Sequence, residues 1–426
     1  MTRSIHKYWL SAIGVVAALH SAAISQAQAQ RAASNAMASN LTDSVTRLTT
    51  ANNRFGFRLF DNLAKKKPDT NMCLSPTSIS QALQMVYNGA AGNTKNGMAL
   101  ALSLQDLRLA DVNQDNRALL GSLTGLPAQE AKPQLAALTA SPKPQLAIAN
   151  SLWIANLNNI LPPFVKTTQT YYNAQVGPLL SAPNNINAWV AQHTNNKITH
   201  IVSAADIKHA DAVLVNAVYF KGMWSTAFKP ENTVDAAFHL AGGSTKTCKL
   251  MSLNSRFAYT QGDTFQMVRL PYQGDRLEMV IVLPKEGTGL NTLAGQLTPE
   301  MWKTWNEKLV STPGVVALPR FKAEFGVTLN EALSALGMGE AFDEHKANFS
   351  LLSHTPLYIS KVLHKTFIEV NEQGTEAAAA TAGIMHSRAA HPAVPPFIMR
   401  MDRPFLYAIQ DRQTGAMLFV GTLYAP

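Results

Sequence analysis

Two cysteines in 426 residues, Cys73 and Cys248, exclude a disulfide-stapled scaffold and allow at most one bridge; whether they pair is left open. The chain also lacks the short motifs of common chemistry. There is no G-x-S-x-G elbow, no H-E-x-x-H, no C-x-x-C and no G-x-x-x-x-G-K. An enzyme of the hydrolase, metalloprotease or P-loop type is therefore not expected, and no cofactor is implied. Charge is sparse, at 15% of residues, and the net +9 is scattered with no run of five basic side chains. That distribution argues against a nucleic-acid partner. Beyond the first thirty residues there is no apolar run of membrane-spanning length, so no membrane partner is expected.

What is present begins with Arg3 and Lys7, then an Ala-rich apolar segment, then Ala27-Gln28-Ala29. This is the charged, apolar and small-residue order of a secretory signal, and its Ala- and Gln-rich composition suits a bacterial one. Residues 1–29 are read as a signal peptide, 30–44 as a loose leader and 45–426 as one domain. A secreted protein, extracellular or periplasmic, is expected. At 46% hydrophobic residues the mature chain can build a large core.

Helical patterns cluster in the first half. Phe55, Leu59 and Leu63 share one stripe. In "LSPTSISQALQMVYNG", Ser75 is placed to cap a helix, Pro76 to open it and Gly89 to end it. "HTNNKITH" sets His193 and His200 on one face if helical, but no carboxylate or cysteine stands near to complete a metal site. Strand-like runs dominate the second half, among them "LEMVIVLP", "LYISKVLHKTFIEV" and the closing pair "FLYAIQ" and "AMLFVGTLYAP". This grouping predicts an α+β fold with large, mostly antiparallel sheets.

One stretch fits none of these elements. "EVNEQGTEAAAATAGIMHSR", residues 369–388, follows a strand pattern with a run of Ala and Thr between Gly374 and Gly383. Nothing in the run is large enough to anchor it. From Thr375, alternate side chains Thr375, Ala377, Ala379 and Thr381 are small and uncharged, so this face can be buried in a sheet without an unpaired charge. The other face is Glu376, Ala378, Ala380 and Ala382. A short surface helix is the alternative reading of the same residues.

Four motifs in order resemble the serpin family: "LSPTSIS" (74–80), "LVNAVYFKGMW" (214–224), "HKTFIEVNEQGTEAAAATAG" (364–383) and "DRPFLYAI" with "LFVGTLYAP" (402–426). The resemblance covers about residues 45–426. It implies eight or nine helices on three mostly antiparallel sheets, with an exposed reactive-centre loop at about 374–397. It implies a suicide-substrate inhibitor of serine proteases, monomeric and needing no cofactor, whose covalent acyl complex is trapped when the cut loop inserts into the main sheet. The hinge would comprise Glu372, Gly374, Thr375, Glu376, Ala377, Ala378, Ala379, Ala380 and Thr381. Family spacing of fourteen from Gly374 places the attacked bond at Arg388–Ala389, suiting a trypsin-like protease, with Met385 and His386 as the fallback positions. Ser75, Ser78, Asn216 and His364 match the family's polar shutter beneath the sheet, and Lys221, Gly222 and Trp224 the top of the sheet. A non-inhibitory member that binds or carries a ligand is the alternative within the fold.

Overall fold

The computed structural model describes residues 43–124, 144–180, 183–375 and 395–426. Chain contacts divide the molecule into Met1–Arg47 and Leu48–Pro426. Of the first unit the description covers residues 43–47, which are helical. Everything below concerns the second.

Helix α1 covers residues 48–66 of this unit and buries Leu48, Phe55, Leu59 and Leu63, the stripe expected from spacing. Strand β1 (Met72–Leu74) leads directly into α2 (Pro76–Tyr87). Pro76 opens α2, where its missing N–H costs nothing. Ser75 stands at the cap position, but its side chain makes no capping hydrogen bond. That expectation is corrected: the Ser75 N–H is directed instead to His364 Nε2, 3.3 Å away. Every residue of α2 is buried. Helices α3 (Gly92–Leu102), α4 (Leu109–Thr124), α5 (Pro162–Tyr172), α6 (Asn184–His193), α7 (Ala204–Ile207), α8 (Leu290–Ala294), α9 (Pro299–Glu307) and α10 (Asn330–Leu333) follow along the chain. The described residues thus hold ten α-helical segments against the eight or nine expected; α7 and α10 are single turns of four residues.

The helix reading of "HTNNKITH" fails. Helix α6 ends at His193, and Asn195 and Asn196 take positive φ (51° and 58°), turning the chain before His200. Asn tolerates this left-handed backbone better than most residues.

The main sheet has six strands in the order β10-β11-β12-β4-β2-β3. These are β10 (Phe321–Thr328), β11 (Lys361–Asn371), β12 (Gly374–Thr375), β4 (Ala212–Met223), β2 (Gln145–Ile154) and β3 (Gln175–Pro178). Its centre is an exception to the antiparallel rule: β11 and β4 run parallel, paired from Lys361↔Val213 to Phe367↔Tyr219. Parallel ladders have slanted hydrogen bonds and are slightly weaker per residue.

The remaining strands join in one hydrogen-bonded network of nine, with β5 attached at its side. They are β1, β5 (Val234–His239), β6 (Thr245–Gln261), β7 (Phe265–Pro271), β8 (Leu277–Pro284), β9 (Val310–Pro319), β13 (Phe397–Arg400), β14 (Phe405–Asp411) and β15 (Met417–Leu423). The 17-residue β6 pairs β5 through its first residues and β7 through its last. Two sheets therefore share this strand, making three with the main sheet.

Alternation along β4 explains how the layers pack. Val213, Val215, Ala217 and Tyr219 join Ile186 and Val190 of α6 in one core cluster. Asn216 and Phe220 face the other way, toward Ser78 of α2 and Phe419 of β15. Both faces of β4 are buried, which is why its sequence reads as a nearly continuous apolar run. Cys73 and Cys248 are both buried free thiols. Burial pushes the Cys73 thiol up to about 11, although Tyr407 and Thr366 lie within hydrogen-bonding reach.

Candidate functional site

At one end of the main sheet β11 and β4 diverge, and β12 occupies the fork. Gly374 and Thr375 pair antiparallel with β11 (Asn371↔Gly374, Val370↔Thr375) and with β4 (Gly374↔Met223, Thr375↔Gly222). Gly374 is demanded by this approach. A Cβ there would lie 2.1 Å from the Gly222 carbonyl oxygen and 2.6 Å from Met223 Cα, both backbone atoms that cannot yield.

Thr375 is fully buried, and its hydroxyl lies 2.7 Å from the Tyr272 hydroxyl. Tyr272 stacks on Trp224 at 4.6 Å between ring centroids, the rings 11° from parallel, and meets Phe220 edge-on. Burial raises the Tyr272 phenol far above its ordinary range, so it stays protonated and able to donate. Trp224 Nε1 donates to the Asn371 carbonyl at 3.0 Å, and the Trp224 N–H donates to the Gln373 carbonyl at 2.9 Å. Trp224 thus holds both sides of the turn that brings the chain from β11 into β12.

Glu372, in that turn, is nearly buried. Its carboxylate accepts from Arg320 Nε at 2.7 Å and Thr233 Oγ1 at 2.6 Å. Burial alone would raise the carboxyl, but Arg320 and Thr233 outweigh it and hold it below the ordinary carboxylate value. The Phe228 N–H donates to the Glu372 carbonyl at 2.8 Å. Turn and fork are thereby fastened to three segments distant in sequence.

Further along the same strand pair lies a second polar group. His364 and Asn216 are direct partners in the β11–β4 register. His364 Nδ1 is 2.6 Å from Asn216 Oδ1, and Nε2 accepts the Ser75 N–H. These contacts assign the proton to Nδ1 and leave the ring neutral. Burial pushes the imidazole down to about 3, against the opposing effect of Asn216. Asn216 Nδ2 donates to Ser78 Oγ and to Asn150 Oδ1, both at 2.5 Å. Thr366 Oγ1 donates to the Cys73 carbonyl at 2.7 Å. The polar chain therefore spans α2, β2, β4 and β11 across the seam where the two parallel strands meet.

The structure brings together Ser75, Ser78, Asn216 and His364 in one group, and Trp224, Glu372, Gly374 and Thr375 in another. Lys221 and Gly222 lie on β4 beside the fork. Glu376, Ala377, Ala378, Ala379, Ala380, Thr381, Arg388 and Ala389 lie outside the described residues, as do the alternative positions Met385 and His386. Sequence reasoning missed Asn150, Tyr272, Thr233 and Arg320. Asn150 was findable, because an Asn interrupts the apolar run "AIANSLWI" at a buried register position. Arg320 carries no such signal: it lies 52 residues from Glu372 in an ordinary basic context.

A family model described as serpin (serine protease inhibitor) matches residues 50–426. The chain belongs to the serpin family. The mouse (Mus musculus) leukocyte elastase inhibitor A is 37% identical over 395 residues, covering 89% of this chain and 99% of that protein. Serpin B6 of Macaca fascicularis is 38% identical over 391 residues, again covering 89% and 99%. Among solved structures, the native state of the thermophilic serpin tengpin superposes with a TM-score of 0.77 at 30% identity, over 89% of this chain and 94% of that one. Native protease nexin-1 with heparin gives 0.76 at 29%, over 90% and 99%. The matched family model and the elastase inhibitor describe protease inhibitors rather than catalysts, and this serpin is accordingly not an enzyme. Among the described residues no helix is long and apolar enough to cross a membrane.

Proposed function

We propose that this serpin is a suicide-substrate inhibitor of trypsin-like serine proteases, cut at Arg388–Ala389. The observation that supports this reading is the seating of Gly374 and Thr375 between β11 and β4. Two residues that the resemblance assigns to the hinge extend the sheet at the point where its central strands part. Insertion of a cut reactive loop into the main sheet is the known behaviour of serpins.

The protease serine attacks the Arg388 carbonyl. An ester forms, the bond to Ala389 breaks, and the Ala389 amine leaves with a proton delivered by the protease histidine. The freed arm, residues 376–388, then continues the strand that β12 begins. Its alternate small residues fill the inner face, and each residue added replaces the direct β11–β4 pairing by a ladder on both sides. Roughly a dozen residues would add on the order of a dozen net hydrogen bonds at about 1 kcal/mol each. Those thirteen residues of strand carry the tethered protease about 43 Å at roughly 3.3 Å per residue. Displacing its catalytic atoms by about 1 Å against the inhibitor body slows deacylation by roughly a hundredfold. The starting state is held by kinetics rather than by equilibrium.

Ser75, Ser78, Asn216 and His364 act in this reading as the gate over which β4 and β11 separate, and Trp224 with Glu372 as the latch on the hinge. We extend the proposal to export, supported by the signal-like order of Arg3, Lys7, the apolar segment and Ala27-Gln28-Ala29.

Incubation with trypsin followed by a denaturing gel tests the function. A covalent band that resists hydrolysis is expected, and its loss in Arg388→Glu. Clean cleavage of the chain without a complex would favour a carrier serpin, and survival of the complex in Arg388→Glu would overturn the assigned bond.

A further inference from the structure

Helices α1, α2 and α4 meet along a seam that is polar where a helix interface is ordinarily apolar. Thr49 and Asn52 come from α1, Ser80, Gln81 and Gln84 from α2, and Asn116 from α4; each is at most 2% exposed. Part of the seam is closed. Asn116 Nδ2 donates to Gln84 Oε1 at 2.7 Å and to the Val112 carbonyl at 2.8 Å, and Gln84 Nε2 donates to Asn52 Oδ1 at 2.8 Å. Beside it Asn88 and Asn113 exchange reciprocal amide bonds of 3.0 and 2.8 Å, and the Tyr172 hydroxyl of α5 donates to Asn113 Oδ1 at 2.6 Å.

The rest is not closed by protein. Thr49 Oγ1, Asn52 Nδ2, Ser80 Oγ, both Gln81 Nε2 and Oε1, and Asn116 Oδ1 have no hydrogen-bond partner among the described residues. An unpaired buried polar atom costs about 1–3 kcal/mol, and native interiors seldom carry several together. Turning the amides does not relieve this. Rotating Gln81 exchanges one unpaired atom for the other, and rotating Asn116 breaks its bonds to Gln84 and Val112. The set needs a third party that donates and accepts.

Its chemistry defines that party. Two hydroxyls, two amide N–H₂ groups and two carbonyl oxygens present both donors and acceptors, with no charge among the six side chains. An ion would lack a counter-charge. The direct bonds of 2.7–2.8 Å hold the helices close together beside these atoms, which favours a very small molecule. We propose that the seam is an internal hydration site. It binds two or more long-lived water molecules that bridge Thr49 and Asn52, Ser80 and Gln81, and Asn116. At about three hydrogen bonds per buried water, six atoms require about two. The site is independent of the reactive loop and of the inhibitory reading.

Magnetic relaxation dispersion of water ¹⁷O and ²H counts such molecules in solution. The full chain should show a dispersive component that falls by at least one water in Gln81→Leu, which keeps the side-chain volume and removes two of the six polar atoms. Ser80→Ala should lower it too and serves as the readout if the leucine variant does not fold. A crystal structure should place waters within hydrogen-bonding distance of Gln81. An unchanged dispersion amplitude in both variants, or a crystal structure in which these side chains pair with one another directly, would overturn the proposal.

Discussion

The Tyr272 hydroxyl and the Thr375 hydroxyl lie 2.7 Å apart, both fully buried, at the mouth of the fork between β11 and β4. This one contact ties Thr375, the last described residue before position 376, to β7's end and, through the Tyr272–Trp224 stack, to the end of β4. Gly374 and Thr375 are thus held between β11 and β4, where the proposed hinge would begin a new strand.

Gly374 is the position where this arrangement is least forgiving. Gly374→Val places a side chain against the Gly222 carbonyl and Met223 Cα. The first rung should be displaced and insertion slowed. More inhibitor should then be cleaved per protease trapped, by several-fold, in a titration of the inhibition stoichiometry. An unchanged stoichiometry would separate the seating of β12 from the trap.

Arg320 holds the turn before it. In Arg320→Ala the Glu372 carboxylate keeps the Thr233 bond but loses its cation while remaining nearly buried. Because Arg320 is itself nearly half exposed, the expected loss is about 1–2 kcal/mol, seen as a lower thermal unfolding midpoint. Spontaneous inactivation on storage at 37 °C should also accelerate.

The gate should be sensitive to acid. His364 has a folded-state value near 3, well under that of an unfolded histidine, so the unfolded chain binds the proton first. Stability is full above about pH 6.5 and declines as pH falls toward 3, by up to about 1.4 kcal/mol per pH unit. His364→Gln should flatten this slope between pH 6.5 and 4 when unfolding midpoints are compared.

A second acid-sensitive pair lies away from the gate. Asp411 is fully buried and paired with Arg276 at 2.8 Å. Burial would raise its carboxyl, but the Arg276 and Thr414 hydrogen bonds prevail and hold it below the ordinary value. Its contribution is therefore present above about pH 4 and lost as pH falls through the lowered value. Arg276→Met leaves the carboxylate buried without its partner and should cost about 3 kcal/mol at neutral pH, measured by denaturant unfolding.

Much of the fold was legible because the serpin motifs sit in elements that bury both faces. "LVNAVYFKGMW" reads as a core strand since both β4 faces pack, and Pro76 opens α2 through a backbone rule. Gly89 follows the end of α2 without the positive φ of a glycine cap; the approach of Leu352, whose Cβ would lie 2.4 Å from an added Cβ, is what requires glycine there. What the sequence withheld depends on long-range approach. The Ser75 cap was a sound local expectation, but at φ −112° and ψ 89° its side chain makes no cap bond, while its own N–H reaches His364, 289 residues away. The His193–His200 spacing looked helical because periodicity is blind to two Asn residues taking positive φ. The parallel β11–β4 seam, on which the proposed gate depends, is invisible to alternation, which is the same in parallel and antiparallel strands. Gly374 is placed in the hinge by the resemblance alone; that glycine is required there, by the nearness of the Gly222 carbonyl, becomes visible only in the structure.

The central claim is that the intact chain is not in its most stable form and that cutting the reactive loop lets the hinge complete the strand begun by β12. Thermal unfolding of the intact and the loop-cleaved protein, side by side, measures this directly. A dozen added ladder bonds predict a midpoint higher by roughly 20 °C in the cleaved form. Equal midpoints, with no gain of strand signal by infrared or circular dichroism, would contradict it.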